Sequence, residues 1–289
     1  MTEKRIQKWV RQFYDEVGWQ KIENNLYQNA RFEDLRPVSS EYIHRCHLRV
    51  NCYLKSTGKF MLDAGSGPVQ YPEYLTYSTG YEYRVCLDIS FTALLDARER
   101  LKGHGLYVLA DVTNLPFPMD MFDGIVSLHT LHHLTIDDQV KAYYEIYRTL
   151  SPGMSGVIVN GWKKSLLMQK LNRLMAFMER MTKQRKKQIQ EDNTGNNDFA
   201  NLGIGIPDRT FVDEINAPFL KEKFAGRIPI EIFVWRSVNV RFLRALIHPW
   251  LGGRCWLKFL YWLEDRFPHY LGENGAYPLI VLEKQAAID

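Results

Sequence analysis

Apolar side chains recur at helical spacing from the start of the chain: over residues 2–17, Ile6, Trp9, Val10, Phe13 and Tyr14 fall on one face. A second helix is predicted over 39–55, with Ser39 and Ser40 as candidate caps and Glu41 in its first turn. The pattern then changes to short apolar runs that alternate with helical stretches. The runs are KFMLDAG (59–65), YRVCLDIS (83–90), LYVLADV (106–112), FDGIVSLHT (122–130) and SGVIVNGW (155–162). Between them lie the helical FTALLDARERLK (91–102) and DDQVKAYYEIYRTL (137–150), the second closed by the turn Ser151-Pro152-Gly153. Strands alternating with helices in this way predict a mostly parallel sheet covered by helices on both faces.

Beyond residue 162 the rhythm is lost. Residues 165–182 form a predicted helix with Leu167, Leu171, Leu174, Met178 and Met181 on one stripe, followed by the basic run KQRKK (183–187) and the polar tract QEDNTGNND (190–198), read as mobile. Late strands are predicted at 229–238 and 276–284. They flank an aromatic, helical stretch, 241–267, interrupted by Gly252-Gly253. The chain divides into N-terminal helices (1–57), a central α/β core (58–162), a helical cap with a linker (163–228), and late strands with the aromatic insertion completing the same domain (229–289).

Composition narrows the class. At 289 residues, 46% hydrophobic and 24% charged, the chain suits one α/β domain with an embellishment. A net charge of +4 is too small to argue for nucleic acid. The cysteines, Cys46, Cys52, Cys86 and Cys255, form no C-x-x-C pair, which argues against zinc and fits reduced thiols. The N-terminus lacks the apolar core of a signal peptide, and no stretch reaches the ~18 apolar residues of a spanning helix. The expected location is the cytoplasm, with membrane-surface contact left open.

The chemistry starts at LDAGSGPVQY (62–71), where Gly65 and Gly67 allow a sharp turn and close approach to a ligand. Such a loop suits a dinucleotide or S-adenosylmethionine. A dinucleotide loop needs a third glycine where this chain has Gln70. Asp63 beside the loop would repel a pyrophosphate but attract an ammonium group. The second strand ends at Asp88, placed to accept both hydroxyls of a ribose. The third ends at Asp111, placed to accept from an adenine amino group, with the Val112 backbone beside it. All three stand at the carboxyl ends of consecutive strands, the edge where open α/β sheets bind ligands.

The segments LDAGSGP, VCLDIS, ADVTNLPFPMDMFDGIVSLHTLHHL and YRTLSPGMSGVIV resemble the class I S-adenosylmethionine-dependent methyltransferases, in particular the type 11 small-molecule group. The resemblance covers about residues 58–162. It implies a Rossmann-like, seven-stranded, mostly parallel sheet with helices on both faces and a helical cap. By the same resemblance Asp63, Gly65 and Gly67 hold the methionine part of S-adenosylmethionine, Asp88 holds the ribose and Asp111 contacts the adenine; Ser66, Ile89, Val112, Leu128 and Tyr14 are the further residues expected to bind the cofactor. The family's loop often reads D-x-G-x-G-x-G, and this chain has Val69 in the last place.

The stretch SLHTLHHL (127–134) faces the expected methyl group. Its His129, His132 and His133 have three readings: pocket wall, general base (His133 or His129) and, with Asp137, a metal site. No metal is needed for transfer from a sulfonium, and none is expected. The Leu/Met helix and the tract after it, 165–205, are read as a lid over the acceptor. The aromatic segment carries Trp235, Trp250, Trp256 and Trp262 among Arg241, Arg244, Arg254, Lys258 and Arg266. It reads as core or lid packing, or as membrane-surface contact through 241–267. The expected partner is a small-molecule acceptor, apolar or lipid-linked, with a hydroxyl as the leading nucleophile and no nucleic acid. The alternatives are a nicotinamide-dependent oxidoreductase, which Gln70 opposes, and a non-catalytic S-adenosylmethionine-binding protein.

Overall fold

In the computed structural model, residues 3–22, 26–191 and 210–286 are described. Seven strands form one sheet: β1 (Gly58–Ala64), β2 (Tyr81–Asp88), β3 (Gly105–Leu109), β4 (Gly124–Leu128), β5 (Ser155–Val159), β6 (Ile230–Arg236) and β7 (Tyr277–Glu283). Their order is β3-β2-β1-β4-β5-β7-β6. The first five pair in parallel, and β7 runs antiparallel to both β5 and β6. The chain reverses its direction of winding between β1 and β4, so a crevice opens there beyond the carboxyl ends of the strands.

The helices are α1 (Glu3–Phe13), α2 (Ser40–Leu48), α3 (Pro72–Thr76), α4 (Phe91–Leu101), α5 (Ile136–Thr149), α6 (Leu166–Glu191), α7 (Ala217–Phe224), α8 (Val240–Leu246), α9 (Gly253–Arg266) and α10 (Pro268–Asn274). Side-chain caps start several of them: Ser90 accepts from Ala93 N–H, Asn216 from Phe219 N–H and Asn239 from Phe242 N–H. Ser39 precedes α2 but its hydroxyl donates to Asp34 at 2.7 Å, so it does not cap the helix as expected.

The alternation of side chains along the strands feeds two cores. Met61, Cys86, Val126 and Val157 pack on one face with Tyr42, Ile43, Leu243 and Leu257. Leu62, Val85, Ile125 and Ile158 pack on the other with Tyr143, Ile146, Leu220 and Phe224. Burial on both faces explains why the central strands read as continuous apolar runs.

Two expectations change here. The helix predicted over 165–182 continues through the basic run to Glu191. Residues 192–209, which hold most of the polar tract and of the predicted lid's linker, lie outside the described residues. Among the described residues no helix is long and apolar enough to cross a membrane.

Candidate functional site

A cavity of about 580 Å³ lies beyond the carboxyl ends of β1, β2 and β4, within the ~300–1,000 Å³ usual for small-ligand sites. Its floor is the loop after β1. Gly65 and Gly67 have φ of 78° and 53°, and Val69 follows at 53°. The left-handed path is thus kept at the third position without a glycine, although the Val69 side chain disfavours it. The N–H groups of Gly65 and Ser66 donate to the Leu87 carbonyl at 2.7 and 3.1 Å. A Cβ on Gly65 would lie 2.1 Å from the Thr130 methyl, and one on Gly67 would lie 2.9 Å from the Trp19 ring. The two glycines therefore make room for neighbouring side chains of the protein itself, and both also line the cavity.

The three acids divide. Asp88 lines the cavity; its Oδ2 accepts from Gly67 N–H and its Oδ1 from Ser90 N–H, both at 2.8 Å. Burial pushes its carboxyl up to about 6, against the pull of those two N–H groups. Asp111 also lines the cavity, two residues past the end of β3, and accepts from Thr113 N–H at 2.9 Å and from the Gln7 side chain. Asp63 does not reach the cavity. Its Oδ2 accepts from Nε and Nη2 of Arg84, a fully buried side chain. Its expected role toward a ligand is corrected accordingly: the carboxylate neutralises a guanidinium under the sheet edge.

The N-terminal segment closes this end. Gln7 of α1 reaches Asp111, a contact for which the sequence gives no signal. Tyr14 stacks on Trp19 with ring centroids 4.9 Å apart, and its hydroxyl lies 2.7 Å from His133 Nε2. His133 Nδ1 lies 2.7 Å from the Phe211 carbonyl, which only accepts, so Nδ1 carries the proton and Nε2 accepts from Tyr14. The lone pair that a general base would use is already engaged, and burial pushes the imidazole down to about 4. The reading of His133 as base is replaced by one in which it positions Tyr14.

The far end of the cavity is built differently. His129 has a left-handed φ of 55°, rare for a non-glycine residue, and its N–H donates to the Val159 carbonyl at 2.7 Å. Its ring packs on Trp235 and Tyr277 at 5.0 and 5.8 Å and makes no hydrogen bond among the described residues. Burial and then the Arg236 charge push it down to about 3. Arg236 is itself buried and donates to Glu33 at 2.5 Å, while its Nε has no partner among the described residues. Among the described residues Gln70 Oε1, Thr210 Oγ1, Trp235 Nε1 and His47 Nε2 are likewise buried without partners, and all belong to side chains lining the cavity. The Glu214 carboxyl faces the same space, its pKa raised by burial.

Of the residues singled out from sequence, the cavity brings together Tyr14, Gly65, Ser66, Gly67, Asp88, Ile89, Asp111, Val112, Leu128, His129 and His133, and leaves out Asp63. Gln7, Glu33 and Arg236 were not anticipated. Among the described residues no group of three or more His, Cys, Asp and Glu side chains is arranged to hold a metal. Among the described residues of α6 none lines the cavity, whereas α1, Tyr14–Trp19 and residues 210–214 do; 192–205 of the expected lid lie outside the described residues.

Residues 62–158 match the family model described as a methyltransferase domain. The ubiquinone/menaquinone biosynthesis C-methyltransferase UbiE of Vibrio parahaemolyticus is 31% identical over 132 residues, 43% of this chain and 50% of that one. UbiE of Coxiella burnetii is 30% identical over 146 residues, 47% and 57% of the two chains. The chain thus spans about half the length of the curated relatives it matches. Among solved structures, phosphoethanolamine N-methyltransferase 1 of Haemonchus contortus aligns with a TM-score of 0.59 at 9% identity, covering 100% of this chain and 51% of that one. The cyclase SpnF aligns at 0.52 with 17% identity, covering 98% and 97%. These likenesses show a shared fold, and SpnF shows that the fold alone does not fix the reaction.

Proposed function

Because residues 62–158 match a methyltransferase domain, we propose that the chain moves a methyl group from S-adenosylmethionine to a small-molecule nucleophile. The observation that carries this reading is one continuous cavity with two unlike ends. The loop end, with Asp88 and Asp111, suits the donor, and the far end, with its unpartnered polar atoms, suits an acceptor.

The residues present fit the donor. Each Asp88 oxygen spends one lone pair on the backbone and keeps another for a ribose hydroxyl. Asp111, held by Thr113 and Gln7, lines the cavity and would accept from the adenine amino group. Tyr14 and Trp19 wall the pocket from water. When bound, the donor supplies an already activated methyl on a sulfonium. The chain's own task is then to place the nucleophile in line within a dry site.

The acceptor is a hydroxyl-bearing natural product or lipid-linked molecule with a polar head. An all-hydrocarbon acceptor would leave Arg236 Nε, Gln70 Oε1 and His47 Nε2 unsatisfied, at ~1–3 kcal/mol each. His129, with a free ring nitrogen, is the group placed to take the hydroxyl proton, which becomes acidic as the C–O bond forms. Carbon is the rival nucleophile, favoured by the activity named for the UbiE relatives. Identifying the methylated atom of the product by NMR separates the two.

Calorimetry should show binding of S-adenosylhomocysteine and none of NAD, and labelled donor should transfer its methyl to a small molecule in a cell extract. Binding without any transfer would favour a non-catalytic role. Two variants refine the site. Tyr14→Phe should lower folding stability by ~1 kcal/mol for one lost buried hydrogen bond, and a double-mutant cycle with His133→Ala should return a coupling energy of similar size. His129→Gly keeps the left-handed backbone and removes the imidazole. Turnover should fall about tenfold, below the usual range for a base because basicity is so depressed, with homocysteine-product affinity unchanged. Unchanged turnover would reduce His129 to a wall of the pocket.

A further inference from the structure

We propose that α9 docks on an anionic lipid surface. The helix buries Gly253, Leu257 and Glu264 and turns its other side outward, where Trp256, Phe259 and Trp262 are 61%, 50% and 56% exposed. The three rings touch in series, Trp256 on Phe259 at 6.5 Å and Phe259 on Trp262 at 5.7 Å, so the exposed surface is one aromatic strip. None of them lines the cavity, which removes the acceptor lid as their purpose. Such a strip in water is unfavourable unless something covers it.

The charges on the helix identify the cover. Its two acids are committed: Glu264 accepts from Tyr42, Ser237 and Arg49, and Asp265 pairs with Arg49 at 2.9 Å. Arg254, Lys258 and Arg266 are exposed, and none forms an ion pair among the described residues. A helix with outward aromatic rings and uncompensated cations matches the bilayer interface, where tryptophan prefers to lie and anionic headgroups attract lysine and arginine. A second copy of the chain is a poorer cover, because a two-fold contact sets the same cations against each other.

The test uses the full chain with phosphatidylcholine vesicles and with mixed phosphatidylcholine–phosphatidylglycerol vesicles. Sedimentation should show binding about a hundredfold stronger to the anionic vesicles, from three cations at the surface, with a blue shift of tryptophan emission. The W256S/F259S/W262S variant should lose at least tenfold on both, and R254Q/K258Q/R266Q should lose only the preference for phosphatidylglycerol. Both variants should keep the melting temperature and S-adenosylhomocysteine affinity, since neither set touches the cavity. Wild-type protein that ignores both vesicles overturns the proposal. So does an aromatic variant that binds like wild type, or a concentration-dependent dimer that the aromatic variant abolishes.

Discussion

Asp88→Ala should lower S-adenosylhomocysteine affinity a hundredfold or more while leaving the melting temperature nearly unchanged. The carboxylate would accept two ribose hydroxyls, each a charge-assisted bond of ~1.5–3 kcal/mol, and it tethers Gly67 N–H in the loop. Its removal costs little stability because the buried carboxylate is itself held at a disadvantage. Burial raises its pKa from 3.8 to about 6, so its contribution to stability is present below the ordinary value and is lost as pH rises through about 6. Affinity should run the other way: it should climb between pH 5 and 7 as the group ionises and becomes a better acceptor. Calorimetry across that range checks both. An Asp88→Ala protein that is folded and binds normally would remove Asp88 from the donor site, and a pH-independent affinity would remove its ionisation from binding.

Asp63→Ala should do the opposite, with a large loss of stability and a small loss of affinity. The Arg84 guanidinium is fully buried and loses its counter-charge. An uncompensated buried charge costs ~3–5 kcal/mol, and the melting temperature should fall by roughly 10 °C. The paired variant D63L/R84M should recover most of that, since apolar residues of similar volume often replace a buried pair at little cost. Scanning calorimetry of the three variants decides the matter. A stable Asp63→Ala protein that no longer binds S-adenosylhomocysteine would restore Asp63 as a ligand residue.

These two aspartates show where sequence reading reaches and where it stops. Both end an apolar run at the same sheet edge, and the pattern that finds one finds the other. What separates them is Arg84, which occupies a strand position among apolar residues and has no local signal that it points inward to Asp63. Six of the strands were legible because burial on one or both faces leaves apolar runs; the edge strand β3, with Leu106 and Leu109 exposed, was legible from its apolar LYVL alone. Helix α3 was missed because five residues are too short to show a period. Helix α7 was missed because its Asn216 cap and following proline sit inside a stretch read as linker. The histidines at 129 and 133 look alike in sequence; only the Tyr14 and Phe211 contacts, distant along the chain, give them different roles. For the aromatic segment, periodicity shows that α9 is two-sided without showing which side meets the protein.

The placement of β7 between β5 and β6 bears on how the molecule is made. Leu279, Ile280, Val281 and Leu282 are almost wholly buried and are shared between both cores, yet β7 follows all six other strands along the chain. Until they emerge, β5 ends the sheet with an open edge, and β6, already synthesised, has no neighbour to pair with. The nascent chain must therefore hold an unfinished sheet with exposed apolar faces until β7 has been synthesised. Pairings this distant along the sequence close slowly. A strand that completes a structure from its interior makes closure of the sheet wait for that strand, and gives chaperones a defined window in which to act.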